Sequence, residues 1–254
     1  MNKLLPKEKS AELLHSIQEK GTPFVYEQEK HRVVLLDEAG EETFYFRLPI
    51  TLSAPVHNLP EENTKINYVV LLIQSGNCAL GYFEDGRNLD HKVFRSYMVR
   101  KKQGKSQIKY LKTKGKSRAG SRVRLGETVE FFENINERLQ QYFKEHVVHR
   151  IAISCSKTLI PYLYSSKIAT PFDKNDPRLY KIPKHIHTPI YEVLLEANRF
   201  LMRGELIYDA ARQGMVEELL SLVDLDAVAE EETIQENELE DEYYLDEPDD
   251  EMEW

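Results

Sequence analysis

INYVVLLIQ, residues 66–74, is the most apolar run in the chain. Its length and its β-branched content are those of a strand, and it reads as a buried central one. Ser75-Gly76-Asn77 is a turn signal, and 78–83 returns as the hairpin partner. Asp85-Gly86 marks a second turn, and 89–99, with alternating character, makes a third strand.

That third strand delivers the chain into a different composition. From Arg100 to Arg124 there are eleven Lys or Arg and no Asp or Glu. Apolar residues there are too few and scattered to build a core element, and Gly104, Gly115 and Gly120 interrupt the run. The stretch reads as a long cationic loop over 99–124, with the polar cluster Gly104-Lys105-Ser106-Gln107 near its start. Every buried ammonium would need a partner, so such a loop faces outward. The partner its charge fits is a polyanion, RNA foremost.

Upstream, Leu13, Leu14 and Ile17 recur at helical spacing within 7–20, and Gly21 ends the pattern. Short runs at 24–26, 32–36 and 43–48 read as a small antiparallel unit, with a turn at Asp37-Glu38-Ala39-Gly40. Downstream, Val129, Phe132, Ile135, Leu139 and Phe143 predict a helix over 127–144. A strand follows at 147–154, a short helix at 157–165 and an edge strand at 179–182. Thr188 is the expected cap of a helix over 189–202 with Pro189 in its first turn. The stretch 205–222 reads as two short helices broken near Gly214. The sum is a mixed sheet flanked by helices, an α/β or α+β domain.

The formal net charge of -9 hides a segregation. Residues 227–254 hold fourteen acids and no Lys or Arg, which leaves the body with 34 basic against 29 acidic side chains. A basic body with an acidic tail is the asymmetry that suggests nucleic-acid contact. The tail is too poor in apolar residues to fold alone and is expected to be disordered. Cys78 and Cys155 lie in apolar strand-like segments and read as reduced core residues of a cytosolic protein. The N-terminus has no apolar signal region, and no apolar run approaches the roughly 18 residues of a membrane span, so a soluble, cytoplasmic protein is expected.

Self-contained chemistry is hard to find. Gly115-Lys116-Ser117 lacks the earlier glycine of a phosphate-binding loop. His185-Ile186-His187 has no Cys or carboxylate cluster to complete a metal site and reads as loop histidines facing polyanion or solvent. His146 and His149 read as structural, and Asp85 and Asp90 as turn residues. No cofactor and no metal is expected.

The stretch VVLLIQSGNCALGYFEDGRNLDHKVFRSYMVRKKQGKSQ (69–107), continuing through KGKSRAGSRVR (114–124), resembles the Vms-type release factors. These include the ankyrin-and-zinc-finger peptidyl-tRNA hydrolases of ribosome-associated quality control, whose catalytic domain is similar to the central, RNase H-like domain of eukaryotic class I release factors. His91-Lys92 and 94–97 match the family's strand, and Arg100-Lys101-Lys102-Gln103-Gly104 its basic lead. Ser106-Gln107 matches the catalytic pair of a Gly-Gly-Ser-Gln-like motif, and Lys114-Gly115-Lys116 with Ala119-Gly120-Ser121 the later segment. The match is strong over 66–123 and looser to about 202. Lys105 stands where a second glycine is expected, and the two cysteines cannot build the family's zinc finger.

The resemblance, which does not cover the first sixty residues or the tail, implies the catalytic domain and an activity, and the reading of the residues adds the rest of the domain plan. Residues 1–60 would form an N-terminal helix and β unit, 61–203 the catalytic domain, 204–226 a helical hairpin and 227–254 the tail. The activity implied is hydrolysis of peptidyl-tRNA on stalled large ribosomal subunits, with Gln107, Ser106 and Gly104 catalytic. Arg100, Lys101, Lys102, Lys105, Lys114, Lys116, Arg118 and Arg122 would meet ribosomal RNA and the tRNA acceptor end. Cleavage of the tRNA near its 3′ end, or ribosome binding without catalysis, are the alternatives. Neither membrane nor DNA is an expected partner.

Overall fold

The computed structural model of the protein describes residues 1–55, 65–96 and 117–221, with 117–125 as backbone only. β1 (Asn2–Leu5) and α1 (Lys7–Glu19) open the chain, followed by β2 (Phe24–Glu27), β3 (Arg32–Leu36) and β4 (Glu42–Arg47). Leu13, Leu14 and Ile17 are the buried stripe of α1, as its spacing requires. Asp37 builds the turn between β3 and β4: its Oδ1 accepts the N–H groups of Ala39 and Glu41, each at 2.9 Å.

β5 (Asn67–Gln74), β6 (Asn77–Glu84) and β7 (Arg87–Arg95) form an antiparallel meander. Asp85 and Gly86 join β6 to β7 with φ of 45° and 95°, the left-handed pair that suits a two-residue hairpin. The helix α2 (Ser117–Glu145) leads to β8 (Arg150–Cys155), which pairs parallel with β5. α3 (Ile160–Tyr164) precedes β9 (Leu179–Lys181), parallel to β8. α4 (Tyr191–Met202), β10 (Gly204–Ile207) and α5 (Gln213–Leu220) complete the described chain. Two five-stranded sheets result, ordered β1-β10-β4-β3-β2 and β7-β6-β5-β8-β9, and the fold is α+β.

β5 shows why its sequence is apolar without alternation. Successive side chains point to opposite faces. Val69, Leu71 and Ile73 join Phe132, Ile135 and Leu139 of α2, while Tyr68, Val70 and Leu72 join Leu194, Ala197 and Leu201 of α4. A strand covered by a helix on each face must be apolar throughout. Both cysteines are free. Cys78 and Cys155 pair with Ile73 from opposite sides, so about 10 Å of sheet separates them, beyond disulfide reach.

Several sequence expectations need correction. The expected helical hairpin over 204–226 begins instead as β10, which pairs antiparallel with both β1 and β4. Leu206 is fully buried in the first sheet's core, so pairing on two sides overrides the helical pattern of 205–222. The N-terminal unit therefore takes a strand from the far end of the chain. The loop expected over 99–124 does not reach 124, because α2 is helical from Ser117; residues 99–116 lie outside the described residues. Gly120 and Gly126 lie inside that helix, each at a cost of about 1 kcal/mol against Ala. Thr188 does not cap α4, which starts at Tyr191 behind an extended Ile190 and has no side-chain cap bond.

A buried polar cluster joins the two sheets. His31 Nδ1 lies 2.6 Å from the Tyr26 hydroxyl, and its Nε2 lies 3.0 Å from the Pro49 carbonyl. From the second sheet, Arg150 Nη1 reaches His31 Nε2 at 2.5 Å, and its two terminal nitrogens donate to the carbonyls of Ile50 and Leu52. Burial, reinforced by the Arg150 charge, holds His31 well below the ordinary imidazole range. Burial likewise pushes Arg150 down to about 10. Folding therefore requires neutral His31, whereas the unfolded chain protonates it below about pH 6.5. The unfolded state then binds more protons, so the His31 contribution is constant above that pH and is lost as pH falls, by up to about 1.4 kcal/mol per unit. Urea midpoints measured from about pH 5 to 8 should fall on the acid side, and more steeply than in His31→Gln. Equal slopes in the two proteins would contradict this role.

Candidate nucleic-acid interface

β7 is antiparallel to β6, and β6 to β5, so β7 runs in the same direction as β5, β8 and β9. Their C-terminal ends share one edge of the second sheet, marked by Gln74, Arg95, Cys155 and Lys181. The chain leaves this edge after β7 to enter 97–116, and α2, helical from Ser117, meets the edge at Glu127. The exit is pinned: the Ser96 N–H donates to the Gly76 carbonyl at 2.8 Å, and Ser96 Oγ donates to the Glu127 carbonyl of α2 at 3.3 Å.

The strand that feeds the segment is held from both faces. Asp90 makes an ion pair with Arg138 of α2, and the His91 ring stacks on Tyr191 of α4 at 3.7 Å between centroids. α2 itself is anchored by Phe131, Phe132, Ile135, Leu139 and Tyr142 in the core. The 97–116 segment thus lies between two elements that are each packed into the core, β7 and α2, the arrangement that gives a connection a rigid frame.

Charge at the return stem is unusual for a helix. The first turn of α2 holds no acid, and Arg118 and Arg122 stand one turn apart on one face. A cation near a helix N-terminus opposes the macrodipole by about 0.3–1 kcal/mol. An anion at that place would remove the penalty.

Arg100, Lys101, Lys102, Gly104, Lys105, Ser106, Gln107, Lys114 and Lys116 lie outside the described residues. Arg118 and Arg122 fall within α2. The acidic 227–254 segment also lies outside the described residues. His146 and His149 have structural partners, as expected: the His146 ring stacks on Tyr82 at 4.1 Å, and His149 Nδ1 accepts the Asn67 N–H at 3.0 Å. Asp85 pairs with Lys7 at 2.9 Å. Among the described residues no group of three or more His, Cys, Asp or Glu is placed to hold a metal, and no helix is long and apolar enough to cross a membrane. Arg95, Lys157, Lys184, His185 and His187 share the sheet edge with the two stems. Of these only the histidines stood out in the sequence, because strand order rather than chain order gathers the others.

The family model described as Bacteroidetes VLRF1 release factor matches residues 68–208, from β5 through β10 and more than half of the chain. Among solved structures, one described as "Vms1 mitochondrial localization core" is similar at 14% identity, over 74% of this chain and 78% of that chain, with a TM-score of 0.36. No curated protein matches.

Proposed function

The chain belongs to the Bacteroidetes VLRF1 release factor family, and on that premise we propose that it is a peptidyl-tRNA hydrolase acting on stalled large ribosomal subunits. The observation that carries this reading is the relation between stems and segment. Gln107 lies midway between Ser96, pinned at the end of β7, and Ser117, the first residue of α2. A segment of that length can carry its midpoint at most roughly 33 Å from the stems. Such a projection from a rigid frame, flanked by eleven cations over 100–124, suits entry into an RNA-walled cleft.

The chemistry then divides between the protein and the ribosome. A glutamine is no base near neutral pH, but its amide can orient a water by accepting and donating hydrogen bonds. The water oxygen attacks the ester carbon joining the peptide to the terminal ribose. The bond from that carbon to the ribose oxygen breaks, one water proton passes to the ribose hydroxyl, the other goes to solvent, and the peptide leaves as a carboxylate. The Gln107 backbone N–H can stabilise negative charge on the tetrahedral centre. Ser106 and Gly104 would shape the turn that presents it, with Lys105 adding a charge beside the acceptor end. Arg100, Lys101, Lys102, Lys114, Lys116, Arg118 and Arg122 would hold phosphates without reading sequence.

The test is the 3′ end of the tRNA product. Hydrolysis leaves an intact CCA end that can be aminoacylated again. A product lacking that end would overturn the hydrolase reading in favour of cleavage within the tRNA.

A further inference from the structure

We propose that the C-terminal edge of the second sheet is itself an RNA phosphate-binding strip, formed by Arg95, Lys157, Lys184, His185 and His187 beyond the loop. Four connections meet at this edge: 75–76, 96–116, 156–159 and 182–190. None contains an Asp or Glu. The opposite edge of the same sheet carries Glu84, Asp85, Glu145 and Asp176, at the β6–β7 turn, the end of α2 and the approach to β9. Acids are thus sorted to one end of the sheet and missing from the connections at the other. The acids nearest this edge lie outside those connections: Glu127 of α2, whose carbonyl accepts from Ser96 Oγ, Glu192 in the first turn of α4, and Glu29, 3.9 Å from Lys181.

The strip is built on fixed backbone. Arg95 is exposed and pairs with Asn77, which pairs with Gln74. Gln74 Nε2 donates to the Ile186 carbonyl at 2.8 Å, and the Ile182 N–H donates to the Ile153 carbonyl at 3.0 Å. Ile182 and Ile186 are buried, so the intervening segment is clamped with Lys184, His185 and His187 turned outward and exposed. Lys157 is exposed directly after β8. From β7 to β9 the edge spans about 19 Å.

Among the described residues no carboxylate pairs with Arg95, Lys157 or Lys184, although Glu29 lies 3.9 Å from the neighbouring Lys181; the exposed Lys184 has its Nζ over the Phe200 ring of α4, 5.9 Å from the centroid. The His185 and His187 rings meet edge to face at 4.5 Å, leaving ring nitrogens available to phosphate oxygens. A row of cations carried by acid-free connections on a rigid edge, beside the stems of a cationic segment, fits an extended phosphate backbone better than an isolated anion. The proposal rests on the RNA-directed reading of this edge but does not need Gln107 to be catalytic.

The test compares two triple variants of the full chain. R95Q/K157Q/K184Q strips the edge, and K65Q/R87Q/K144Q removes the same charge near the opposite end of the sheet. Binding of a fluorescent single-stranded RNA is measured across roughly 50–200 mM salt. The edge triple should show a slope of log affinity against log salt lower by roughly 2–3, so that wild type loses about 20- to 40-fold more affinity over that range. The opposite-edge triple should retain the wild-type slope, and both should keep the wild-type Tm. Equal slopes in all three proteins, or equal losses in both triples, would overturn the strip. Release activity read on the same proteins separates this result from the proposed function: hydrolysis with an unchanged slope sinks only the strip, and a lowered slope without hydrolysis sinks only the enzyme.

Discussion

Glu205→Ala should destabilise the protein by roughly 3–5 kcal/mol, lowering Tm by about 6–20 °C. Glu205 sits in β10, and its Oε2 accepts from Arg47 Nε of β4 at 3.1 Å. The side chains are only 3% and 11% exposed, so neither charge has water to fall back on. Asn2 of β1 donates to the other Glu205 oxygen at 3.0 Å, and the Arg47 guanidinium lies over the Phe200 ring at 4.2 Å. Three strands and α4 therefore converge on one ion pair. Removing the carboxylate strands a buried guanidinium, which costs far more than the pair itself contributes. Replacing both partners, as in R47M/E205L, should recover most of the loss, because the apolar pair leaves no uncompensated charge. Urea unfolding of the three proteins checks this. A Glu205→Ala loss below about 1 kcal/mol, or a double variant worse than the single, would show that the pair does not join β10 to the first sheet.

Gln107→Ala is expected to lower nascent-chain release by at least roughly 100-fold, the range seen when one preorganised donor to a developing charge is lost. The substitution falls in the segment between Ser96 and Ser117, outside the described residues. Its effect on stability should stay within about 0.5 kcal/mol. Affinity for large subunits should also be kept, because the cations proposed to carry it are untouched. The combination separates a chemical role from a docking role. Gln107→Ala releasing at the wild-type rate would remove the residue from the mechanism. Equal loss of release and of subunit affinity would make it a contact residue.

Much of the second sheet could be read from the chain because its signals are local. β5 is apolar at every position since α2 and α4 cover its two faces, and β6 and β7 follow through short turns rich in glycine. The antiparallel β2-β3-β4 unit was legible for the same reason, with Asp37 supplying the turn chemistry. β1 and β10 were not. Each is four residues long; among the described residues β1 pairs only with β10, some two hundred residues away in the chain, and β10 lies between β1 and β4, both far from it in the chain. Glu205 looked like a helix-surface residue until its partner Arg47 was known. The start of α2 at Ser117 is hidden in the sequence because Gly120 mimics a break within a run of cations, and Thr188 is no cap because α4 starts three residues later.

The candidate interface divides along the same line. A run of eleven cations without an acid is a statement of composition, and it was visible at once. Lys157 and Lys184 are single lysines in unrelated connections, and only the parallel pairing of β5, β8 and β9 brings them to the edge where Arg95 ends β7. No pattern along the chain encodes that meeting.

The most direct measurement is release of a nascent chain from peptidyl-tRNA held on isolated, stalled large ribosomal subunits, followed as loss of the peptidyl-tRNA band on a gel. Purified protein should convert that band to free peptide and intact tRNA in a single turnover, faster than subunits alone and faster than subunits with Gln107→Ala. Binding of the protein to the subunits with no loss of the band would contradict the account.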